Sequence, residues 1–315
     1  MYNKKERRLL RRLPYVEYRA GSLSDLNTLY KKFSGKELIF RGETRRKDNK
    51  NDTGLHTSLE KQFEAFKIRS KKEKQKWEKH LILRFHRISN LYNIRNVPAL
   101  DDKLEWLALM QHYGAPTRLL DCTYSFYISC YFALCRLICG EEIGVVWAFD
   151  ANWFSQEEKI EKIIGINEDE KKEQFNKIYK NLKNLIGMNY MDDERIRQNA
   201  TVCLLMERKV SIPLVYNVTP FRMNERLKIQ KGTFLFPGHI GISFEENLCR
   251  PTEYINKSKK NLHKITIKVQ IAEKNRILKE LDAMNINQAV LFPGLQGFAE
   301  SLQTEFAFSE RRNPK

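Results

Sequence analysis

Apolar residues at Leu26, Leu29, Tyr30 and Phe33 recur at helical spacing behind Gly21-Ser22-Leu23-Ser24, which predicts a helix capped by Ser22 or Ser24. Glu37-Leu38-Ile39-Phe40-Arg41-Gly42 reads as a short apolar strand with an arginine at its edge, followed by a polar loop over 43–52. Apolar positions 59, 63, 66, 77, 81, 85, 88 and 91 predict one long helix or two broken ones. A helix begins at Leu104–Met110, Gly114 and Pro116 interrupt it, and a mostly apolar helix resumes over Thr123–Cys139. Ile143–Phe149 reads as a strand, as do 214–218, 232–236, 265–271 and 289–291, with a helix over 273–284. Helices and strands mix without βαβ regularity, so the expected fold is α+β with a largely antiparallel sheet.

Charge changes the picture in two places. Lys67–Arg87 carries nine bases and two acids, a cationic helix face, whereas 152–183 holds seven of each and suits a solvated helical insertion. Over all 315 residues the formal charge is +17, which draws polyanions and ranks nucleic acid, a nucleotide or an acidic partner above a neutral metabolite; lysine-rich solvated faces would give the same total. The six cysteines form no CxxC pair, which points to thiols in a reducing cytosol rather than zinc ligands, and the six histidines have no metal-ligand spacing, so no metal site is expected. The basic stretch 1–20 reads as an N-terminal arm without the apolar segment of a signal peptide. Leu119–Cys139 contains Asp121 and Arg136, so a buried helix is expected there and no membrane span.

Three clusters concentrate polar side chains on constrained backbone. In Phe40-Arg41-Gly42-Glu43, the arginine is either a phosphate or carboxylate clamp, with Gly42 permitting close approach, or a core arginine paired to a buried carboxylate. In Gln111–Asp121, Gly114 and Pro116 fix a turn that gathers His112, Thr117, Arg118 and Asp121 at the head of the following helix, where an anion such as a diphosphate is favoured; the alternative is a cap and a paired turn residue. In Glu225–Phe234, Gln230 either hydrogen-bonds a sugar or amide or serves as an edge-strand residue. The signatures of P-loop, Rossmann, zincin and α/β-hydrolase enzymes are missing from the sequence. Trp77, Tyr92 and Trp106 are either core or platforms for bases.

Phe40-Arg41-Gly42, the run Gln111-His112-Tyr113-Gly114-x-Pro116-Thr117-Arg118-Leu119-Leu120-Asp121-x-Thr123, Arg226-x-x-x-Gln230-x-Gly232-x-Phe234 and Leu291-Phe292-Pro293-Gly294-Leu295-x-Gly297 together resemble the FRG-domain family, named for its Phe-Arg-Gly motif. The resemblance implies one domain over about 21–302, with the charged insertion near 152–200 and a tail over 303–315. Cys122 stands where the family usually has a bulky aromatic, and Gly294 and Gln296 where acidic residues are common.

The order of these motifs is also similar to that of ADP-ribosyltransferases of the Arg-Ser-Glu kind, which implies a split antiparallel sheet with flanking helices and NAD as substrate. On that likeness Arg41 and Gly42 hold the NAD phosphates or ribose, His112, Tyr113 and Thr117 line the nicotinamide pocket, and Arg118 assists at the diphosphate. Asp121 or Gln230 stands where the late glutamate is expected, with His112 beside it. The implied activity is transfer of ADP-ribose from NAD to a macromolecule, RNA or DNA before protein. The setting is a cytoplasmic toxin of a toxin–antitoxin or phage-defence module restrained by an acidic antitoxin. A non-catalytic nucleic-acid-binding sensor, or a metal-dependent nuclease using Asp121 with Glu43 or Glu105, are the alternatives.

Overall fold

The computed structural model describes residues 15–46, 54–92, 97–154, 193–206, 212–222, 224–249 and 261–308, with positions 173, 176 and 177 between them. Seven strands, β1 (Val16–Ala20), β2 (Leu38–Arg46), β3 (Leu120–Thr123), β4 (Glu142–Asp150), β5 (Val215–Val218), β6 (Gly232–Pro237) and β7 (Leu262–Ile267), form one open sheet in the order β1-β7-β4-β2-β3-β6-β5. Every pairing is antiparallel except β1 with β7. The fold is α+β with helices on both faces of the sheet, as the mixed pattern predicts.

Strand periodicity assigns the faces. On β4, Val146 and Ala148 point into a core built with α1 (Leu23–Phe33), α5 (Phe126–Leu134) and α10 (Ile271–Ala283). Val145, Trp147 and Phe149 point the other way, into a core closed by α9 (Phe244–Cys249). Burial on both faces explains why this strand reads as an uninterrupted apolar run. A third core packs α4 (Lys103–His112) and α7 (Asp193–Met206) against Tyr216 and Val218 of β5 and Phe234 and Phe236 of β6. Among the described residues the remaining helices are α2 (Ser58–Ala65), α3 (Lys71–Ser89), α6 (Ala151–Phe154), α8 (Glu225–Ile229), α11 (Gln288–Leu291) and α12 (Leu295–Phe308). Among the described residues no helix is long and apolar enough to cross a membrane.

Gly42 faces α5 so closely that a Cβ there would lie 1.7 Å from the Ser129 carbonyl oxygen. The close approach that this glycine permits is therefore made by the chain's own helix. On its other edge β2 meets β3 at a single register pair, Phe40 with Thr123, and past that pair the two strands part. This opening in the sheet lies beside Arg41.

Several elements differ from the sequence expectation, some because of distant strand partners and some because of local helix caps. Residues 16–20 belong to the sheet because they find a partner in β7, far along the chain, rather than ending a basic arm. Leu120–Thr123 is a strand, drawn out by pairing with β6, and Ser125 caps α5 by accepting from the Ile128 amide. The Thr117–Asp121 segment thus runs into a strand rather than onto a helix N-terminus. The strand expected at 265–271 lies at 262–267, because Gln270 starts α10. Residues 289–291 are helical because the Asn287 side chain accepts from the Val290 amide and caps α11. Helix α12 runs to Phe308, into the expected tail, and α7 is a core helix at the end of the expected insertion, most of which lies outside the described residues.

The start of α4 is pinned by a buried acidic pair. Asp102 accepts from the Glu105 amide at 3.3 Å and from the Asn199 side-chain amide, while Glu105 receives the backbone amides of Phe221 and Arg222. Burial pushes the Asp102 carboxyl up to about 6, and burial plus the neighbouring Asp102 charge pushes Glu105 up to about 7. Both groups then hold more protons in the folded than in the unfolded chain. Their stabilisation is complete below about pH 4 and is lost as pH rises through about 6 to 7, on the order of 3 kcal/mol for Glu105. Thermal unfolding followed across that window is expected to show falling stability toward alkaline pH, and Glu105→Gln is expected to flatten the slope. An equally steep profile in the variant assigns the slope to other groups.

Candidate functional site

The turn that ends α4 fixes the first side of the site. Gly114 has φ 78, the left-handed conformation that a helix stop requires, and the Ala115 amide returns to the Met110 carbonyl at 2.9 Å. This reversal brings Gln111, on the last turn of α4, alongside β3. The Gln111 side-chain amide donates to Asp121 Oδ2 at 2.6 Å, while its carbonyl accepts from Thr117 Oγ1 at 2.6 Å. Thr117 itself is fully buried and tied to Ser58, whose Oγ accepts the Thr117 amide at 3.0 Å. Thr117 therefore positions Gln111, and Gln111 positions the Asp121 carboxylate.

Arg41 crosses the opening between β2 and β3, its Nη1 donating to the Asp121 carbonyl at 2.8 Å with Nε 3.7 Å from Glu43. The early Arg-Gly and the later polar turn thus meet at one place. From the third cluster, Arg226 and Gln230 stand one turn apart on α8 and its C-cap. The Arg226 guanidinium stacks 4.4 Å over the Phe292 ring, and Gln230 Nε2 donates to the Leu291 carbonyl at 2.9 Å. These contacts dock the fourth motif beside the other three. Burial lowers the Arg226 pKa, opposed by the charges of Asp121 and Glu300.

The result is a cleft with two adjoining compartments. One, of about 320 Å³, is lined by Arg41, Gly42, Asp121, Thr123, Arg226 and Gln230; the other, of about 790 Å³, by Gln111, His112, Tyr113, Asp121, Arg226 and Glu300. Arg136 and Phe292 also border both. Burial, and then the Arg226 charge, depress the His112 pKa below its ordinary 6.5, so the ring is neutral near pH 7. Its Nδ1 is buried and has no hydrogen-bond partner among the described residues. Tyr113 is 61% exposed at the mouth, its ring 4.9 Å from that of His112.

Arg118, expected at the diphosphate, is elsewhere. Its guanidinium makes a buried, two-pronged ion pair with Glu78 of α3 and lies 5.1 Å from the Phe236 ring. Glu105 sits at the opposite end of α4 from Gln111, engaged by backbone amides, which separates it from Asp121. Sequence reasoning overlooked Arg136, Arg226, Phe292 and Glu300. Arg226 and Phe292 were visible inside the quoted motifs, but a stacked arginine is recognisable only with its ring partner in place. Glu300 supplies a late carboxylate, with its oxygens receiving Gln288 Nε2 at 2.7 Å and Gln296 Nε2 at 3.0 Å. Gly294, where acids were expected, has φ 110 and so occupies a backbone conformation that favours glycine.

Away from the cleft, His56, Glu60 and Glu64 bring their donor atoms within 4.8 Å of one another, a spacing of four from just before α2 to its last turn that the sequence reading passed over. Glu60 there also accepts the Phe244 amide at 3.3 Å, which explains its position by helix packing. Trp106 is core, whereas Trp77 and Tyr92 are 44% and 70% exposed.

No curated protein and no solved structure matches the chain. Residues 36–138 match the FRG domain, a stretch that runs from just before β2 to just beyond α5 and contributes Arg41, Gln111, His112 and Asp121 to the cleft. Arg226, Gln230, Phe292 and Glu300 complete that cleft from outside the matched stretch, so the chain is similar to the FRG domain over residues 36–138 and builds the rest of the site with residues beyond it.

Proposed function

We propose that the cleft binds NAD and transfers its ADP-ribose to a nucleic acid, RNA before DNA, as the toxic activity of a cytosolic toxin–antitoxin or phage-defence module. One observation carries this reading: Arg41, Arg226, Asp121 and His112 converge on one cleft beside an opening in the sheet. The split between β2 and β3 also fits the ADP-ribosyltransferase-like architecture that the motif order implies.

Arg41 and Arg226, with Arg136 at the rim, hold the diphosphate. Tyr113 packs on the nicotinamide. The bond between C1′ of the ribose and the pyridinium nitrogen breaks, nicotinamide leaves with the electron pair, and positive charge develops on the sugar. Asp121, oriented by Gln111, stabilises that charge. An acceptor oxygen then bonds to C1′ and its proton passes to neutral His112. Gln230 spends its amide on the Leu291 carbonyl and acts by docking α11 rather than by touching the sugar. The basic charge draws the acceptor, and an acidic protein partner restrains the activity.

Incubation with NAD labelled in its adenylate half and with total RNA, DNA or protein tests the reading. Transfer to nucleic acid is expected, reduced at least about 100-fold in Asp121→Asn, with NAD affinity changed by less than about threefold. Failure of the unaltered protein to bind NAD, transfer unchanged in the variant, or chelator-sensitive strand cleavage without NAD would overturn it.

A further inference from the structure

Helix α3 carries more apolar surface than its packing uses. Only Glu78 and Ser89 are buried along its 19 residues. Trp77 and Ile88 are 44% and 45% exposed, and Leu91 and Tyr92 just beyond its end are 77% and 70% exposed. Leu81, Arg84, Phe85 and Ile88 stand at i, i+3, i+4 and i+7, and with Met110, Ala115 and Pro116 they form a groove of about 260 Å³. From Trp77 to Ile88 the helix rises about 16 Å, the span of roughly three turns of a second helix laid against it.

The chemistry of this groove selects its occupant. Apart from Arg84, the side chains lining it offer no hydrogen-bonding group, so a ligand must bring an apolar face. Arg84 stands exposed on this face, in a stretch where Lys67–Arg87 has nine bases against two acids. Of those acids, Glu78 is committed to Arg118. The chain's own residues 1–14, with six bases and one acid, carry the wrong charge sign to be the occupant. RNA would satisfy the cations but leave the apolar floor uncovered. We propose that this groove docks an acidic amphipathic helix of a partner protein. The inference rests on the functional reading above only for the partner's role: Ala115 lines both groove and cleft, so the docked helix sits beside the mouth at Tyr113 and restrains access.

The probe is a synthetic leucine–glutamate peptide about four turns long, with leucines at i, i+3, i+4 and i+7. It is titrated into the full chain carrying Trp153→Phe while tryptophan emission is followed, since of the other tryptophans Trp77 is exposed whereas Trp106 and Trp147 are buried. A saturable blue shift is expected, weakened at least tenfold by Ile88→Asp and by Arg84→Glu, two exposed positions at which circular dichroism should stay unchanged. A scrambled peptide of the same composition should bind at least tenfold more weakly. Equal binding of the scrambled peptide, indifference to both substitutions, or an emission shift with polyuridylate and none with the peptide overturns the proposal. NAD binding measured on the same samples separates the two ideas: intact NAD binding without peptide binding removes the groove alone, and the reverse removes the NAD reading alone.

Discussion

Arg41→Ala is expected to reduce NAD-dependent transfer about 100- to 1000-fold, corresponding to about 3–4 kcal/mol of lost transition-state stabilisation. Arg41 stands in the opening between β2 and β3, one nitrogen on the Asp121 carbonyl and the rest of the guanidinium bordering the smaller compartment. Its removal takes a charge from the diphosphate site and also frees the β3 end that carries Asp121. The two effects separate in Arg41→Lys, which keeps a cation but cannot span to the Asp121 carbonyl and grip a phosphate at once. Arg41→Lys is therefore expected to recover part of the NAD affinity while transfer stays low. Initial rates at limiting NAD, read beside equilibrium NAD binding and unchanged circular dichroism, check this. An alanine variant within threefold of the unaltered rate ends the clamp assignment.

Glu78→Ala is expected to cost about 3–5 kcal/mol of stability, because it strands the Arg118 guanidinium in a buried setting. The pair is 3% and 6% exposed on its two sides, with the Pro237 carbonyl and the Phe236 ring as Arg118's other neighbours. Removing both charges together avoids the stranded ion, so Arg118→Met with Glu78→Leu is expected to recover most of the loss. Chemical denaturation of the three proteins measures it. The double variant is also expected to bind NAD as the unaltered protein does, because Arg118 lies outside the cleft. A large loss of NAD affinity with stability restored would return Arg118 to the site.

The contrast between Arg41 and Arg118 marks how far the sequence could be read. Both arginines sit in motifs that offer an anion clamp, and each cluster has a structural alternative, a core ion pair for Arg41 and a cap with a paired turn residue for the turn that carries Arg118. Nothing local separates them. Arg118 meets Glu78, 40 residues away on α3, while Arg41 meets the Asp121 backbone carbonyl and the Glu43 carboxylate at the edge of an opening. A side chain's partner is a property of how elements pack, and the motif carries only the side chain. For the same reason Gly42 reads correctly as a site of close approach, but only the placement of α5 identifies Ser129 as what approaches.

Short segments show a second limit. Leu120–Thr123 fits the end of an apolar helix as well as a strand, and the ladder with β6 decides; Val16–Ala20 becomes a strand only through β7. A periodic segment with its own cap, such as α1 behind Ser22, was legible because its signals lie within a few residues. The sequence by itself therefore determined the α+β class, the FRG likeness, the helix stop at Gly114 and the polar clusters that hold the candidate residues. The tertiary structure alone decided which of them share a cleft. It gathered Arg41, Asp121, Arg226 and Glu300 from four distant segments and withdrew Arg118, since proximity across the sheet depends on strand order and helix packing that no local pattern encodes.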